Sequence, residues 1–422
     1  MATLAVADKL THLPELREEI ALHPGPTALD GSPTWTLHDP ARNQFYRLGW
    51  REFEILSRWD SGSPAQLIAR LKRETTLDVE HDEIEDVARF LALHSLFTSR
   101  TAEGTRRLLE KAARYRQHWA MWLVKNYLFL RIPLCRPDGW LDRLYPRLAW
   151  LFSPAFRNTM IALALLALYL VARRWDAFID TFTYLFSIEG AIYFALALSA
   201  MKVVHEMGHA LTAKRYGCRV PSMGLALLVM WPVLYTDVTE TWKLVSRRQR
   251  LAVGLAGVTA ELVFAVFATL AWSFLPDGPV RGAAFILATT SWVSTLLLNL
   301  SPFMRFDGYF VLSDWLEMPN LHARAFAITR WWMRERLFGL GEPPPEELPA
   351  GRRRFLIVFS IATWMYRLTV FLGIAVLVYH FAIKALGIIM GAVELGYFII
   401  RPLWMEMQAL WKLRDRLRLN AH

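Results

Sequence analysis

Residues 187–212, SIEGAIYFALALSAMKVVHEMGHALT, decide how this chain is read. The stretch exceeds the roughly 20 mostly apolar residues that cross a hydrocarbon core, yet it carries His205, Glu206 and His209 near one end. On a helix, residues four apart lie on one face, so both imidazoles can bind a single ion while Glu206 projects beside it. Zinc lowers the pKa of a bound water to roughly 7, and a neighbouring carboxylate can take the proton as hydroxide attacks a carbonyl. With 11 His in 422 residues, chance supplies this His-Glu-x-x-His spacing on the order of one to two per cent of the time. A His-Glu-His trio is also costly to desolvate within an apolar helix, and is tolerated mainly where the groups face a polar cavity or hold a metal.

Working outward, the chain is 54% hydrophobic with 18 Trp and 25 Phe, beyond what a soluble domain of this size carries. Segments long enough to span lie near 151–172, 187–212, 251–274, 282–302, 355–380 and 385–404, all after residue 150. The expected fold is therefore membrane α-helical, with about six transmembrane helices behind a soluble head. The loops 213–250 and 303–354 hold seven and eight Lys or Arg, against Arg173, Arg174, Arg281 and Lys384 on the other side. Basic loops stay inside, which places both termini in the cytoplasm and the chain in the inner membrane. Residues 220–236, apolar but short and broken by Gly224 and Pro232, read as a re-entrant element. The first 30 residues lack a continuous apolar core, so no cleaved signal is expected. Cys135 and Cys218 are the only cysteines, which supports neither a disulfide framework nor a cysteine metal site. The net charge of +10 sits beside apolar segments, so a bilayer explains it better than nucleic acid, which is not an expected partner.

Residues 33–48 read as a hairpin turning at Asp39-Pro40, followed by helices near 50–59, 64–74 and 82–97, the second capped by Ser63 with Pro64 at its first position. Ile84, Val87 and Leu91 mark the inner face of the third. A small winged-helix-like α+β cytoplasmic domain over residues 1–99 is the expectation. Its order resembles the leader-peptide recognition domain of the pyrroloquinoline-quinone chaperone, which implies peptide binding; a structural or dimerising head is the alternative. Residues 100–148, with eleven Lys or Arg among aromatics, read as a basic juxtamembrane helical linker. The metal-bearing membrane core is assigned to 149–320, a cytoplasmic loop to 321–354, and two further spans with a basic tail to 355–422.

Two His and a water leave zinc one protein ligand short. The candidate is Asp307 in Asn299-Leu-Ser-Pro302-Phe-Met-Arg-Phe-Asp307-Gly308, at the cytoplasmic end of the fourth expected span, although Asp-Gly alone is a common turn. His-Glu-x-x-His followed about a hundred residues later by Asn-x-x-Pro-x-x-x-x-Asp-Gly resembles the site-2 protease family of intramembrane metalloproteases. The resemblance covers about 187–320. It implies one Zn2+ on His205, His209 and Asp307, with Glu206 as catalytic base, and hydrolysis of a peptide bond in a peptide or membrane-anchored substrate. The wording NLSPFMRFDGYFVLSD is similar to a bacterial branch of peptide zinc metalloproteases that can accompany a membrane-fusion adaptor and an exporter.

The chain departs from that family at Gly257-Val258-Thr259-Ala260-Glu261, where many members read Gly-Pro-x-x-Asn. An acid inside a span usually marks an ion pair or a pathway, and Arg367 is the expected structural partner of Glu261. Asn299 could hold a substrate backbone or cap its span. Tyr235, Asp237 and Glu240 read as a solvated loop face that could line an entrance, and His380 and Lys384 as groups snorkelling to water. The competing function is a metal-containing scaffold of an export assembly, although a scaffold has no need of Glu206. A di-iron lipid oxidase would need several His clusters, and the remaining His are scattered singly.

Overall fold

A computed structural model describes residues 12–28, 31–98, 129–181, 188–228, 231–293, 299–381 and 391–412. It divides into two compact units, residues 1–292 and 293–422.

The first unit opens with the head. Strands β1 (Ala21–Pro24), β2 (Trp35–Asp39) and β3 (Gln44–Leu48) form one antiparallel sheet in that order, so a third strand precedes the expected hairpin. Helices α1 (Trp50–Ser57), α2 (Pro64–Glu74) and α3 (His81–Leu93) follow, and Ser63 caps α2 by accepting from Gln66 N at 3.4 Å. Leu37, Leu48, Ile55, Leu67, Ile84 and Leu91 are buried together, which explains why the apolar positions repeat at two in the strands and near 3.6 in the helices. Asp39, wholly buried at the end of β2, receives both guanidinium nitrogens of Arg17 at 2.9 and 3.2 Å. Arg17 N also donates to Leu96 O at 3.0 Å, so the segment before β1 is strapped to the end of α3.

Strand β4 (Phe129–Cys135) interrupts the helical linker expected over 100–148, whose last residues, Asp138–Leu148, are helical; residues 99–128 lie outside the described set. It pairs antiparallel with β5 (Met223–Leu228), which pairs with β6 (Trp231–Thr236). The expected re-entrant segment is thus a β-hairpin completed by a strand from ninety residues earlier. Gly224 makes this pairing possible, because any side chain there would overlap the backbone of Ile132 and Pro133. Pro133 is tolerated because β4 is an edge strand and shifts register between Pro133 and Cys135.

Helix α4 (Asp138–Leu148) leads into α5 (Pro154–Arg173), capped by Ser153, and α6 (Trp175–Asp180). Helix α7 (Ile188–Arg215) contains the His-Glu-x-x-His motif, and α8 (Arg247–Gly254), α9 (Ala256–Phe274) and α10 (Pro279–Val293) complete the unit. Lys214 near the end of α7 clasps Asp138 and Asp142 of α4 at 2.5 and 2.8 Å. Burial opposes the Asp138 charge, but Lys214 and the Val220 N–H outweigh it and hold that carboxyl below its ordinary range. At the other end of α9, Trp272, Phe285 and Ile286 are buried with Val171, and Arg281 lies over the Trp272 ring at 4.6 Å.

The second unit holds α11 (Asp307–Leu316), α12 (Leu321–Phe338), α13 (Ala350–Phe381) and α14 (Arg401–Lys412). Tyr309 stacks on His322 at 4.1 Å, while Arg367 of α13 donates to Phe303 O at 3.0 Å and lies 3.1 Å from His322 Nδ1. Burial, then the Arg367 charge, push His322 down to about 3, so the ring stays neutral and can accept from the guanidinium.

Three helices among the described residues are long and apolar enough to cross a membrane: Pro154–Arg173, Ala256–Phe274 and Ala350–Val376. They coincide with three of the six expected spans. The expected spans 282–302 and 385–404 run partly through residues 294–298 and 382–390, outside the described set.

Removing Arg17 leaves a buried carboxylate without its cation, which typically costs about 3–5 kcal/mol. Arg17→Met is therefore expected to raise amide exchange across β2 and β3 by roughly two orders of magnitude or more in the intact protein. Hydrogen–deuterium exchange with mass spectrometry checks this; unchanged protection there would mean that the pair contributes little.

Candidate metal centre

The arrangement begins with two helices packed unusually close. A side chain at Gly208 of α7 would sit 2.6 Å from Ala256 O and 2.9 Å from Ala260 Cβ, so only a residue without Cβ lets α9 approach at that level. Gly257, one residue beyond Ala256, completes the approach. A Cβ on it would overlap the His205 ring and stand 2.6 Å from His209 Nε2. The two small residues therefore create the space into which both imidazoles point.

His205 and His209 are 5% and 7% exposed, so what they face is protein rather than water. Their Nε2 atoms lie 3.1 Å apart. Two nitrogens held about 2.0–2.1 Å from one tetrahedral ion would stand about 3.3–3.4 Å apart, so this pair is already close to a two-ligand spacing. The far side of each ring is anchored. His209 Nδ1 lies 2.8 Å from Val253 O, which fixes the tautomer with hydrogen on Nδ1 and the lone pair on Nε2. His205 Nδ1 lies 2.9 Å from Glu261 Oε1, a contact of charge proximity rather than a well-aligned hydrogen bond. Donor type, convergence and the cradle left by Gly257 all fit a bound zinc.

His205 and His209 lie in the first unit and Asp307, the expected third ligand, in the second. Asp307 is the first residue of α11. Gly308 after it allows the turn to close onto Leu300, whose backbone a side chain at 308 would overlap. Asn299 is buried, at 8% exposure. Glu206 is half-buried, and its carbonyl accepts from Thr236 Oγ1 at 3.2 Å, which joins the motif helix to the end of β6.

Glu261 and Arg367, the expected pair, lie in different units, and each has partners within its own. Glu261 is fully buried on α9 and meets Lys202 Nζ at 3.0 Å and His205, while Arg367 serves Phe303 and His322 in its own unit. Lys202 was missed in the sequence, although a lysine three residues before His205 in an apolar helix carried the signal. Glu240 also departs from expectation. It is 7% exposed, accepts from the Arg219 backbone N–H and pairs with Lys243 at 3.0 Å, so it is a buried anchor rather than a solvated loop side chain. Asp237 accepts from Thr239 and, at 3.2 Å, from Asn43 in the β2–β3 turn, while Arg47 lies 5.7 Å over Trp242. The head thus rests on the segment after β6. A cavity of about 660 Å³ opens beside that segment, lined among others by Arg131, Arg136, Arg219, Tyr235 and Asp237. Burial pushes the Cys218 thiol up to about 11, in keeping with a cysteine that packs and does not ligate.

Residues 193–297 match Peptidase family M50, the site-2 protease family. The chain is 30% identical over 128 residues to "Putative peptide zinc metalloprotease protein YydH" of Bacillus subtilis (strain 168), covering 30% of this chain and 47% of that one. It is 34% identical over 121 residues to "Putative zinc metalloprotease sll0528" of Synechocystis sp. (strain ATCC 27184 / PCC 6803 / Kazusa), covering 28% and 30%. The chain thus spans less than half the length of these curated relatives. No solved structure matches it. The family match and the relatives' names support a membrane metalloprotease, and the matched segment contains the His pair, Gly257 and Glu261.

Proposed function

We propose that this protein is a zinc-dependent endopeptidase of the cytoplasmic membrane, with His205, His209 and Asp307 holding the metal and Glu206 acting as general base. The observation that carries the proposal is the convergence of two buried, oriented imidazole Nε2 atoms 3.1 Å apart in a space kept clear by Gly257. Zinc bound there would polarise a substrate carbonyl and acidify an attacking water.

The chain's own residues supply the rest. Val253 O holds the His209 ring in the tautomer that presents Nε2, and the Glu261 carboxylate lies 2.9 Å from Nδ1 of His205. Glu206 follows His205 directly and is only half-buried, so its carboxylate can accept a proton from water and return it to the departing amine. The peptide is taken in extended form, because a helix keeps its carbonyls bonded internally. Its source is a leader-type peptide or a membrane-anchored protein, recruited on the cytoplasmic side by the head, whose winged-helix-like character belongs to this proposal. Both termini face the cytoplasm on the basic-loop argument.

Glu206→Gln is expected to retain about one zinc per chain while cleavage falls by roughly 10²–10⁴. Mass spectrometry of membrane-anchored and leader-type test peptides incubated with the two proteins measures this, and full turnover by the variant would remove Glu206 from the mechanism. Gly257→Ala should lower metal content well below the wild-type level without touching any ligand, because the methyl group takes the ring space. Wild-type loading in that variant would show that the cradle is not where the metal sits.

A further inference from the structure

We propose that Glu261, balanced by Lys202, is a positioning residue for the metal ligand His205. This rests on the zinc reading above, and extends it to the position where the resembled family has a different residue type.

Glu261 lies one helical turn after Gly257 on α9, so the two residues share a face, and that face meets the His205–His209 side of α7. Its carboxylate is completely buried. Such a group is costly to place away from water unless an opposite charge lies beside it. One oxygen, Oε1, lies 2.9 Å from His205 Nδ1 and 3.0 Å from Lys202 Nζ. Lys202 stands three residues before His205 on α7, so lysine and histidine project from adjacent turns toward the same acid.

The arrangement does two things for His205. A carboxylate beside Nδ1 favours hydrogen on that nitrogen, which leaves the lone pair on Nε2, where His209 and the Gly257 space lie. A carboxylate charge this close makes the ring a stronger electron donor than a neutral carbonyl does. The two ligands are thus held by unlike means: His209 by the Val253 carbonyl dipole, His205 by a charge. Lys202 neutralises that charge within the helix pair, so the acid can stay buried. An asparagine at 261 would keep polar capacity and lose the charge, so the Asn-to-Glu departure carries a function at the metal rather than at the substrate.

The test compares wild type, Glu261→Gln, Glu261→Asp and the double variant Glu261→Gln/Lys202→Met in the full-length detergent-purified protein. Zinc affinity is read by chelator competition, ligand-field geometry by the visible absorption of the cobalt-substituted protein, and folding by thermal unfolding. The expected result is a roughly 10–100-fold loss of zinc affinity in Glu261→Gln, with a changed cobalt spectrum and recovery in Glu261→Asp. The double variant should regain the unfolding temperature and not the affinity. Recovery of both in the double variant would mean that Glu261 and Lys202 form a structural ion pair only and would overturn the proposal. Wild-type affinity in Glu261→Gln would overturn it as well. A wild-type protein that binds zinc or cobalt nowhere would overturn both this proposal and the zinc reading, so the two failures are told apart.

Discussion

The close approach of α7 and α9 is the constraint on which the rest of the arrangement depends. Two glycines, Gly208 on one helix and Gly257 on the other, remove the side chains that would keep the helices apart. The volume gained is given to two imidazoles. A helix pair that packed through ordinary apolar side chains would bury the same surface and have no room for a metal. The apolar composition of α9 is therefore only half of its role, the other half being the face that runs from Val253 in α8 through Gly257 to Glu261. That face provides, in order, a carbonyl for one ring, an opening for both rings and a carboxylate for the other.

The surroundings read as support for this seam. Lys214 clasps α4 to the end of α7, and Thr236 ties β6 to Glu206, so the motif helix is held on two sides near its C-terminus. The β6 end of the β4–β5–β6 sheet leads into Asp237, which the β2–β3 turn of the head reaches through Asn43. The head therefore touches Asp237, the residue next to Thr236, whose hydroxyl bonds to the Glu206 carbonyl. In the second unit, Arg367 and the neutral His322 secure the turn that leads to Asp307.

The His-Glu-x-x-His spacing was legible because helical periodicity alone puts the two rings on one face. The head's hairpin and three helices were legible too, through turn residues and the Ser63-Pro64 cap. What stayed hidden depended on which helix faces which. No sequence spacing shows that Lys202, on the motif helix itself, meets Glu261, because that depends on which face of α9 packs against α7. Strand β4 was hidden for a related reason: Arg131 and Arg136 made the segment look like a surface helix, and its partner is ninety residues away. Gly257 carried a signal only in hindsight, since a glycine in an apolar run has several meanings until the neighbouring rings are placed.

The most direct measurement is the metal content and metal–ligand distances of the purified full-length protein, prepared without chelator, by elemental analysis with zinc X-ray absorption. The expected result is about one zinc per chain with two imidazole nitrogens and oxygen donors near 2.0–2.1 Å, and loss of that zinc on His209→Ala and Asp307→Asn. A protein free of zinc, or one whose zinc survives both substitutions, would contradict the zinc reading.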